Sequence, residues 1–109
     1  MIRLLLDENL PKKLKYRFGE DYHVSTVSEE GWSSFKNGDL LQLMHQTGIH
    51  YFITGDKNLS YQQNYLQWNV QLIVLNARSN QYETLLPFVE KIKKLIESGN
   101  SQILNYVDL

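Results

Sequence analysis

Short apolar runs alternate along the chain with segments of helical periodicity, and this alternation predicts the secondary structure. The apolar runs, which predict strands, lie at 2–6, 23–27, 51–54, 71–75 and 102–107. Apolar residues recur every three or four positions at 11–18, 39–46, 59–66 and 82–96, which predicts helices there. Strands that alternate with helices are typical of a parallel sheet covered by helices. We therefore expect an α/β fold with a mostly parallel sheet of four or five strands.

Local signals mark two of the helix ends. Asn9 is a favourable cap, and Pro11 suits a first helical turn because its φ is fixed and it has no N–H to leave unpaired. The last helix carries an apolar stripe from Leu85 to Ile96 and stops near Gly99, a residue that tolerates a left-handed cap. These signals place a helix start near residue 11 and a helix end near residue 98.

The composition limits both the size of the protein and its chemistry. The chain has 109 residues, enough for one core, so we expect a single domain over 1–109. It has no cysteine, which excludes disulfides, thiol nucleophiles and cysteine-ligated metals and favours a reducing, cytoplasmic location. No apolar run approaches the ~20 residues of a membrane span, so we expect no membrane association.

The charge and the remaining motifs narrow the function further. With 11 basic and 12 acidic residues the net charge is −1, so binding to nucleic acid would depend on local clusters. The six glycines are scattered, which excludes a P-loop. The three histidines, His23, His45 and His50, show no spacing of four residues, so we expect surface or half-buried side chains rather than a metal site.

Three aspartates are predicted to lie at one edge of the sheet. Asp7 follows the first strand, Asp56 follows the third, and Asp39 opens the helix after the second. The carboxyl ends of parallel strands meet at the same edge, where ligands bind in open α/β sheets. Neighbouring carboxylates repel each other unless they share a cation, and Mg²⁺ or Mn²⁺ prefers such oxygen ligands. The pattern thus indicates a metal-dependent phosphoryl-transfer or nuclease site.

Each of these aspartates also fits a purely structural role. Asp39 is suited to cap a helix or interact with its dipole, and Asp56 is suited to a turn beside Gly55. Asp7 and the adjacent Glu8 would equally form an acidic turn before the next helix. Glu8 is therefore a candidate fourth acidic ligand or a loop residue.

The sequence around these aspartates resembles that of the small PIN-like proteins. The segment 4–11, Leu-Leu-Leu-Asp-Glu-Asn-Leu-Pro, is similar to the opening of that family, in which a strand ends in Asp-Glu-Asn-Leu-Pro before a helix. Segments 24–31, 38–43 and 52–59 resemble the family's second strand with its exit, its next helix start and its third strand, in the same order. The resemblance covers about residues 1–90 and implies a three-layer α/β/α PIN-like fold.

The resemblance also implies a function. By similarity to PIN-domain ribonucleases, it implies Mg²⁺- or Mn²⁺-dependent cleavage of RNA, with Asp7, Asp39 and Asp56 as catalytic and metal-binding residues and Glu8 as an addition. Many such proteins are the toxin of a toxin–antitoxin pair, which implies an antitoxin protein as partner, and relatives of this kind form homodimers. The second acid of the family's third-strand segment is replaced by Asn58, which still offers a metal an uncharged oxygen.

Basic residues near the predicted edge are candidates for RNA binding. Lys12 and Lys13 belong to the helix that starts beside Asp7, and Lys57 follows Asp56 directly. Arg78 follows the fourth strand, at a position shifted from the basic residue of the family. These four side chains would contact phosphates.

Two other functions remain open at this point. A weakly catalytic PIN-like module that binds a partner protein is consistent with the uncharged Asn58. A receiver domain would use Asp7 and Glu8 as its acidic pair and Asp56 as its phosphoacceptor. The receiver hypothesis is weaker, because no Lys-Pro follows the fifth strand and Asp39 would have no role.

Overall fold

The computed structural model of the protein describes residues 1–35, 37–58 and 65–109. Five strands form one sheet in which every neighbouring pair is parallel. The strands are β1 (Ile2–Leu6), β2 (Tyr22–Thr26), β3 (Tyr51–Thr54), β4 (Gln71–Leu75) and β5 (Leu104–Val107). A 3₁₀ helix (Lys12–Arg17) and three α-helices, α1 (Asn37–Thr47), α2 (Tyr82–Leu85) and α3 (Phe88–Glu97), connect them. The predicted α/β class and the five strands are confirmed.

The order of the strands across the sheet is β2-β1-β3-β4-β5. The chain moves from β1 outward to β2 and then returns to the other side of β1, so the direction of winding reverses between β1 and β3. In open parallel sheets a crevice forms outside the carboxyl ends of the strands at such a reversal, and ligands bind there. The residues that follow Leu6 and Thr54 therefore occupy the position at which a binding site is expected.

Helical segments pack on both faces of the sheet, because successive strand residues point to opposite sides. Leu4 and Leu6 face a cluster that includes the 3₁₀ helix and α3, whereas Leu5 faces a second cluster with α1. β4 contributes alternately to the same two clusters. This arrangement is compatible with the three layers expected from the sequence.

The first predicted helix differs from the observed one in type and in its cap. It is a 3₁₀ helix of six residues rather than an α-helix over 11–18, and Leu14 is its buried residue. Pro11 precedes it in an extended conformation, with φ −66° and ψ 134°, and no side chain caps it. The prediction that Asn9 caps this helix is wrong, because the Asn9 amide bonds to the end of β3 instead.

The last predicted helix is divided in two. Pro87 has no N–H to continue the hydrogen-bonded ladder, so α2 ends at Leu85 and α3 begins at Phe88. The predicted end is confirmed, because Gly99 adopts the left-handed conformation with φ 75°. The other bounds differ by one to three residues, and residues 59–64 of the helix predicted over 59–66 lie outside the described residues.

Within the described ranges, no helix is long and apolar enough to cross a bilayer. The longest is α1 with 11 residues, about half of the ~20 that a span requires.

The packing of β1 generates a stability prediction. Leu6→Ala should lower the free energy of unfolding by about 2–5 kcal/mol, because Leu6 is fully buried and its truncation leaves a cavity. Leu66→Ala removes the same atoms from a side chain that is 76% exposed and should change stability by less than about 0.5 kcal/mol. Urea unfolding followed by circular dichroism measures both variants. Equal losses would contradict the buried position of Leu6.

Candidate functional site

Asp7 and Asp56 lie at the reversal between β1 and β3. The N–H of Asp7 donates to the Ile53 carbonyl at 2.9 Å, which continues the pairing of β1 with β3 one residue beyond Leu6. Asp7 is therefore fixed beside the last residues of β3. Asp56 follows two residues after the end of β3, so the fold itself brings the two carboxylates to the same edge.

The hydroxyl of Thr54 connects the two aspartates. It donates to Oδ2 of Asp7 at 2.7 Å and accepts from the backbone N–H of Asp56 at 3.0 Å. Thr54 has no exposed surface. A buried hydroxyl with both a donor and an acceptor partner is held in one orientation, so Thr54 fixes the direction of the Asp7 carboxylate.

The side chain of Asn9 makes the second connection between the ends of β1 and β3. Its Nδ2 lies 3.4 Å from the Thr54 hydroxyl, and its Oδ1 accepts from the Gly55 N–H at 3.3 Å. A Cβ atom added at Gly55 would overlap the side-chain amide of Asn80. A larger residue at position 55 would therefore displace the Asn80 amide.

A backbone N–H group donates to one oxygen, Oδ1, of each of the two carboxylates. Oδ1 of Asp7 accepts from the Glu8 N–H at 2.8 Å, and Oδ1 of Asp56 accepts from the Asn58 N–H at 2.9 Å. These short loops fold each carboxylate back onto its own backbone, a common arrangement for aspartate in turns. Glu8 and Asn58 have exposed side chains in these loops.

The site disfavours negative charge on Asp7. Burial raises the pKa of the Asp7 carboxyl above its ordinary value of 3.8, and the neighbouring charges of Asp56 and Glu8 add to this. The Thr54 hydroxyl and the Glu8 N–H lower the pKa in part. A nearby cation would favour the charged form of Asp7 and so oppose this rise.

The buried phenol of Tyr65 lies close enough to Asp7 and Asp56 for their charges to affect its pKa. Burial raises the pKa of Tyr65 to about 12, and the negative charges of Asp7 and Asp56 contribute to this shift. Tyr65 packs in the cluster on the α1 side of the sheet. Tyr65 is therefore a core residue that also lies within the electric field of the site.

Asp39 is not joined to this pair. It lies in the first turn of α1 and is exposed, whereas the carboxylates that raise the pKa of Asp7 are those of Asp56 and Glu8. Over residues 1–35, 37–58 and 65–109, no three acidic or histidine side chains come close enough to hold one metal ion. The structure thus brings together two of the three predicted aspartates.

A cavity of about 260 Å³ opens beside Asp7 on the side of β2. Its lining consists of Asp7, Glu8, Leu10, Lys12, Thr26, Ser28 and Glu29. Thr26 and Glu29 exchange two hydrogen bonds of 3.1 Å, each between a side chain of one and the N–H of the other. This reciprocal pair fixes the loop after β2 as one wall of the cavity.

Glu29 also binds two lysines of the 3₁₀ helix. Lys15 pairs with it closely and holds the pKa of the Glu29 carboxyl below its ordinary value. Lys12 lies 3.5 Å from the same oxygen, and its side chain is 62% exposed. Lys12 is therefore positioned at the wall of the cavity with its ammonium group accessible.

The other basic residues predicted to bind RNA lie elsewhere. Nζ of Lys13 lies 5.0 Å from the centre of the Tyr82 ring, and Nζ of Lys57 donates to the Ala77 carbonyl at 3.2 Å. Arg78 lines a different cavity, of about 320 Å³, between the end of β4 and α2. Of these four cations, Lys12 is the one placed beside Asp7.

No protein-family model, curated protein or solved structure matches the chain. The function of the site is therefore inferred from its geometry.

Three residues of the site carried no clear signal in the sequence. Thr54 ends a buried strand and looks like any strand residue, and Asn9 looks like a helix cap. Tyr65 looks like core. The one signal that would have identified Thr54 is its polar side chain at the end of an otherwise apolar strand, two residues before Asp56.

Removal of the Thr54 hydroxyl tests its role in the site. Thr54→Val keeps the shape of the side chain but removes the donor to Oδ2 of Asp7, so the pKa of Asp7 should rise further. The free energy of unfolding should fall by about 1–3 kcal/mol. A carbon-detected NMR titration of the Asp7 carboxyl measures the first effect. Thr47→Val, which removes a hydroxyl bonded to the Leu43 carbonyl in α1, should leave the pKa of Asp7 unchanged.

The raised pKa of Asp7 predicts a pH-dependent effect of its replacement. The folded protein binds a proton at Asp7 more tightly than the unfolded chain does, so this group's contribution to stability falls as pH rises from 3.8 through the folded pKa. In metal-free buffer, Asp7→Asn should therefore be more stable than wild type near about pH 7 and lose this advantage near about pH 3. Urea unfolding at both pH values measures the difference.

The exposed Asp21, which precedes β2, provides the control for this comparison. Asp21→Asn should not reproduce the pH-dependent gain. A gain for Asp7→Asn that is the same at both pH values would show that burial of charge is not its cause.

Proposed function

We propose that the protein is a Mg²⁺- or Mn²⁺-dependent ribonuclease of the PIN-like type, in which Asp7 and Asp56 hold the cation. The observation that supports it is the Thr54 hydroxyl, which joins the carboxylate of Asp7 to the backbone N–H of Asp56 at the reversal between β1 and β3. Open parallel sheets bind ligands at this position. Segment 4–11, which resembles the opening of the PIN-like family, contains Asp7 at the same position.

The donor groups fit a hard divalent cation. All of them are oxygens, which Mg²⁺ and Mn²⁺ prefer, and two adjacent carboxylates repel each other without a cation between them. The ion pairs of Lys12 and Lys15 are made with Glu29, and that of Lys93 is made with Glu90, rather than with Asp7 or Asp56.

Three further residues are candidates to complete the coordination. Glu8 lines the cavity next to Asp7, and the amide oxygen of Asn58 belongs to the loop that folds onto Asp56. Asp39 lies in the first turn of α1, and the other end of this helix is bonded to the start of β1 through Arg3 and the Thr47 carbonyl. The start of α1 is thus directed toward the edge at which Asp7 lies.

Each group of the site has a defined task in this proposal. A bound cation would activate a water and neutralise the charge that builds on the phosphate during cleavage. Thr54 and Asn9 hold the Asp7 carboxylate in position, and Lys12 binds a phosphate of the RNA in the cavity beside it. By its resemblance, the protein would act as a cytoplasmic toxin that is controlled by an antitoxin protein and forms a homodimer.

The strand order favours one second candidate. The order β2-β1-β3-β4-β5 is that of flavodoxin-like sheets, to which phosphoacceptor receiver domains belong. In that case Asp56 would accept a phosphoryl group next to Asp7 and Glu8. Directly after the fifth strand, where receiver domains carry a lysine, this chain has Asp108, so this proposal ranks second.

Replacement of the two aspartates tests the nuclease proposal. Wild type should bind Mn²⁺ saturably in calorimetry and cleave a fluorescent single-stranded RNA in the presence of Mn²⁺. Asp7→Asn and Asp56→Asn should each reduce cleavage by at least about 100-fold, because each removes a charged ligand. Asp21→Asn serves as the matched control and should retain wild-type binding and cleavage. Asp39→Asn then shows whether the third predicted acid contributes.

The alternatives give different results in the same experiment. Absence of Mn²⁺ binding and of cleavage in wild type would overturn the nuclease proposal in favour of a protein-binding module. Stable labelling by acetyl phosphate that Asp56→Asn abolishes would favour the receiver. Cleavage that persists in Asp7→Asn would show that the activity comes from elsewhere or from a contaminant.

A further inference from the structure

His45 and His50 lie side by side at the opposite edge of the sheet from Asp7. His45 is in the last turn of α1, and His50 directly precedes β3, so both are at the amino ends of the strands. Their ring centroids are 6.4 Å apart, with an angle of 69° between the ring planes. The two side chains are exposed and half-buried, as expected from the sequence, but the sequence did not predict that they lie next to each other.

A left-handed turn explains why a spacing of five residues brings the rings together. α1 ends at Thr47, and Gly48 adopts φ 80°, which reverses the chain. The N–H groups of Gly48 and Ile49 bond back to the carbonyls of His45 and Met44 at 3.2 and 2.9 Å. His50 is thus folded back beside the final turn of the helix, in a contact that helical periodicity does not predict.

The same turn before β4 orients both rings. Nδ1 of His45 lies 3.0 Å from the Trp68 carbonyl, and Nδ1 of His50 lies 3.0 Å from the Asn69 carbonyl. A carbonyl oxygen only accepts hydrogen bonds, so each Nδ1 must carry the proton. In the neutral rings, the lone pair available for coordination is therefore on Nε2 of both histidines.

Each ring is thus in the form in which proteins use histidine to bind metals. Metal-ligating histidines donate one ring N–H to a backbone carbonyl or carboxylate, which fixes the tautomer and leaves the other nitrogen for the metal. No group in residues 1–35, 37–58 or 65–109 hydrogen-bonds to Nε2 of either ring. His45 is exposed and His50 is half-buried, so a cation reaches the pair from solvent.

We propose that His45 and His50 form a two-histidine binding site for a transition-metal cation such as Zn²⁺, Ni²⁺ or Cu²⁺. Imidazole is a ligand for these borderline cations, whereas Mg²⁺ prefers oxygen. The site is therefore chemically distinct from the carboxylate pair at the other edge of the sheet. It does not depend on the proposed nuclease function.

The separation of the rings is close to what one cation needs. At a Zn–N distance of about 2.0–2.1 Å, two imidazoles bound through nitrogen have ring centroids roughly 5–6 Å apart. The observed 6.4 Å requires a closure of roughly 1 Å, a shift of the exposed His45 ring that is small enough to keep its Nδ1 near the Trp68 carbonyl. Water completes the coordination, and a two-ligand site of this kind binds more weakly than a closed structural zinc site.

Such a cation would link three segments of the chain. Through His45 and His50 it would join the end of α1 to the start of β3, and both rings are bonded to the turn at Trp68 and Asn69. The N–H of Gln71 bonds to the His50 carbonyl at 2.7 Å, so this turn is already attached to the same point. Binding should therefore stabilise the folded protein by mass action.

Zinc titration of the intact protein by calorimetry tests the proposal. With Mg²⁺ in excess to occupy the carboxylate pair, wild type should bind one Zn²⁺ per chain at the histidines, and His45→Gln and His50→Gln should each weaken this binding at least tenfold. His23→Gln, at the exposed histidine of β2, is the matched control and should bind as wild type does.

A measurement on wild type alone protects the test against misfolded variants. In long-range ¹H–¹⁵N spectra, addition of Zn²⁺ should shift Nε2 of both His45 and His50 and leave both Nδ1 atoms protonated. Absence of saturable binding, shifts confined to one ring, coordination through Nδ1, or equal weakening by His23→Gln would each overturn the proposal.

Discussion

The hydroxyl of Thr54 holds the carboxylate of Asp7 where β1 and β3 end, and the remaining contacts of the site depend on this bond. Because Thr54 is completely buried, the carboxylate is drawn toward the interior, and its burial raises the pKa of Asp7. Asp56 is then aligned through the same hydroxyl and adds a second negative charge. The parallel pairing of β1 with β3 is what makes this arrangement unavoidable.

The sheet was predictable because its strands are short, apolar and separated by strong signals. β1, β3 and β4 have the predicted bounds, since buried parallel strands appear as continuous apolar runs. The helices were less predictable, because their ends depend on single residues. Pro87 interrupts an apolar periodicity that otherwise runs on, and the 3₁₀ helix has too little buried surface for periodicity to distinguish it from an α-helix.

Only the part of the candidate site that lies directly at the carboxyl ends of the strands was predictable from the sequence. The placement of Asp7 and Asp56 follows from the edge at which parallel strands end. Asp39 belongs to a helix that starts after a long loop, so its distance from the pair cannot be read from its position in the sequence. The contact between His45 and His50 depends on a turn at Gly48 and on two backbone carbonyls. Neither feature produces a periodic pattern in the sequence, so the contact could not be predicted.

The 3₁₀ helix divides what looks in the sequence like one basic cluster. With three residues per turn, Lys12 and Lys15 share a side and both reach Glu29, whereas Lys13 and Arg17 meet the ring and hydroxyl of Tyr82. A polyanion at the Asp7 cavity would therefore meet the charge of one lysine rather than four. Each phosphate neutralised on a single strand releases about 0.7 counterions, so ionic strength would have little influence on such a complex.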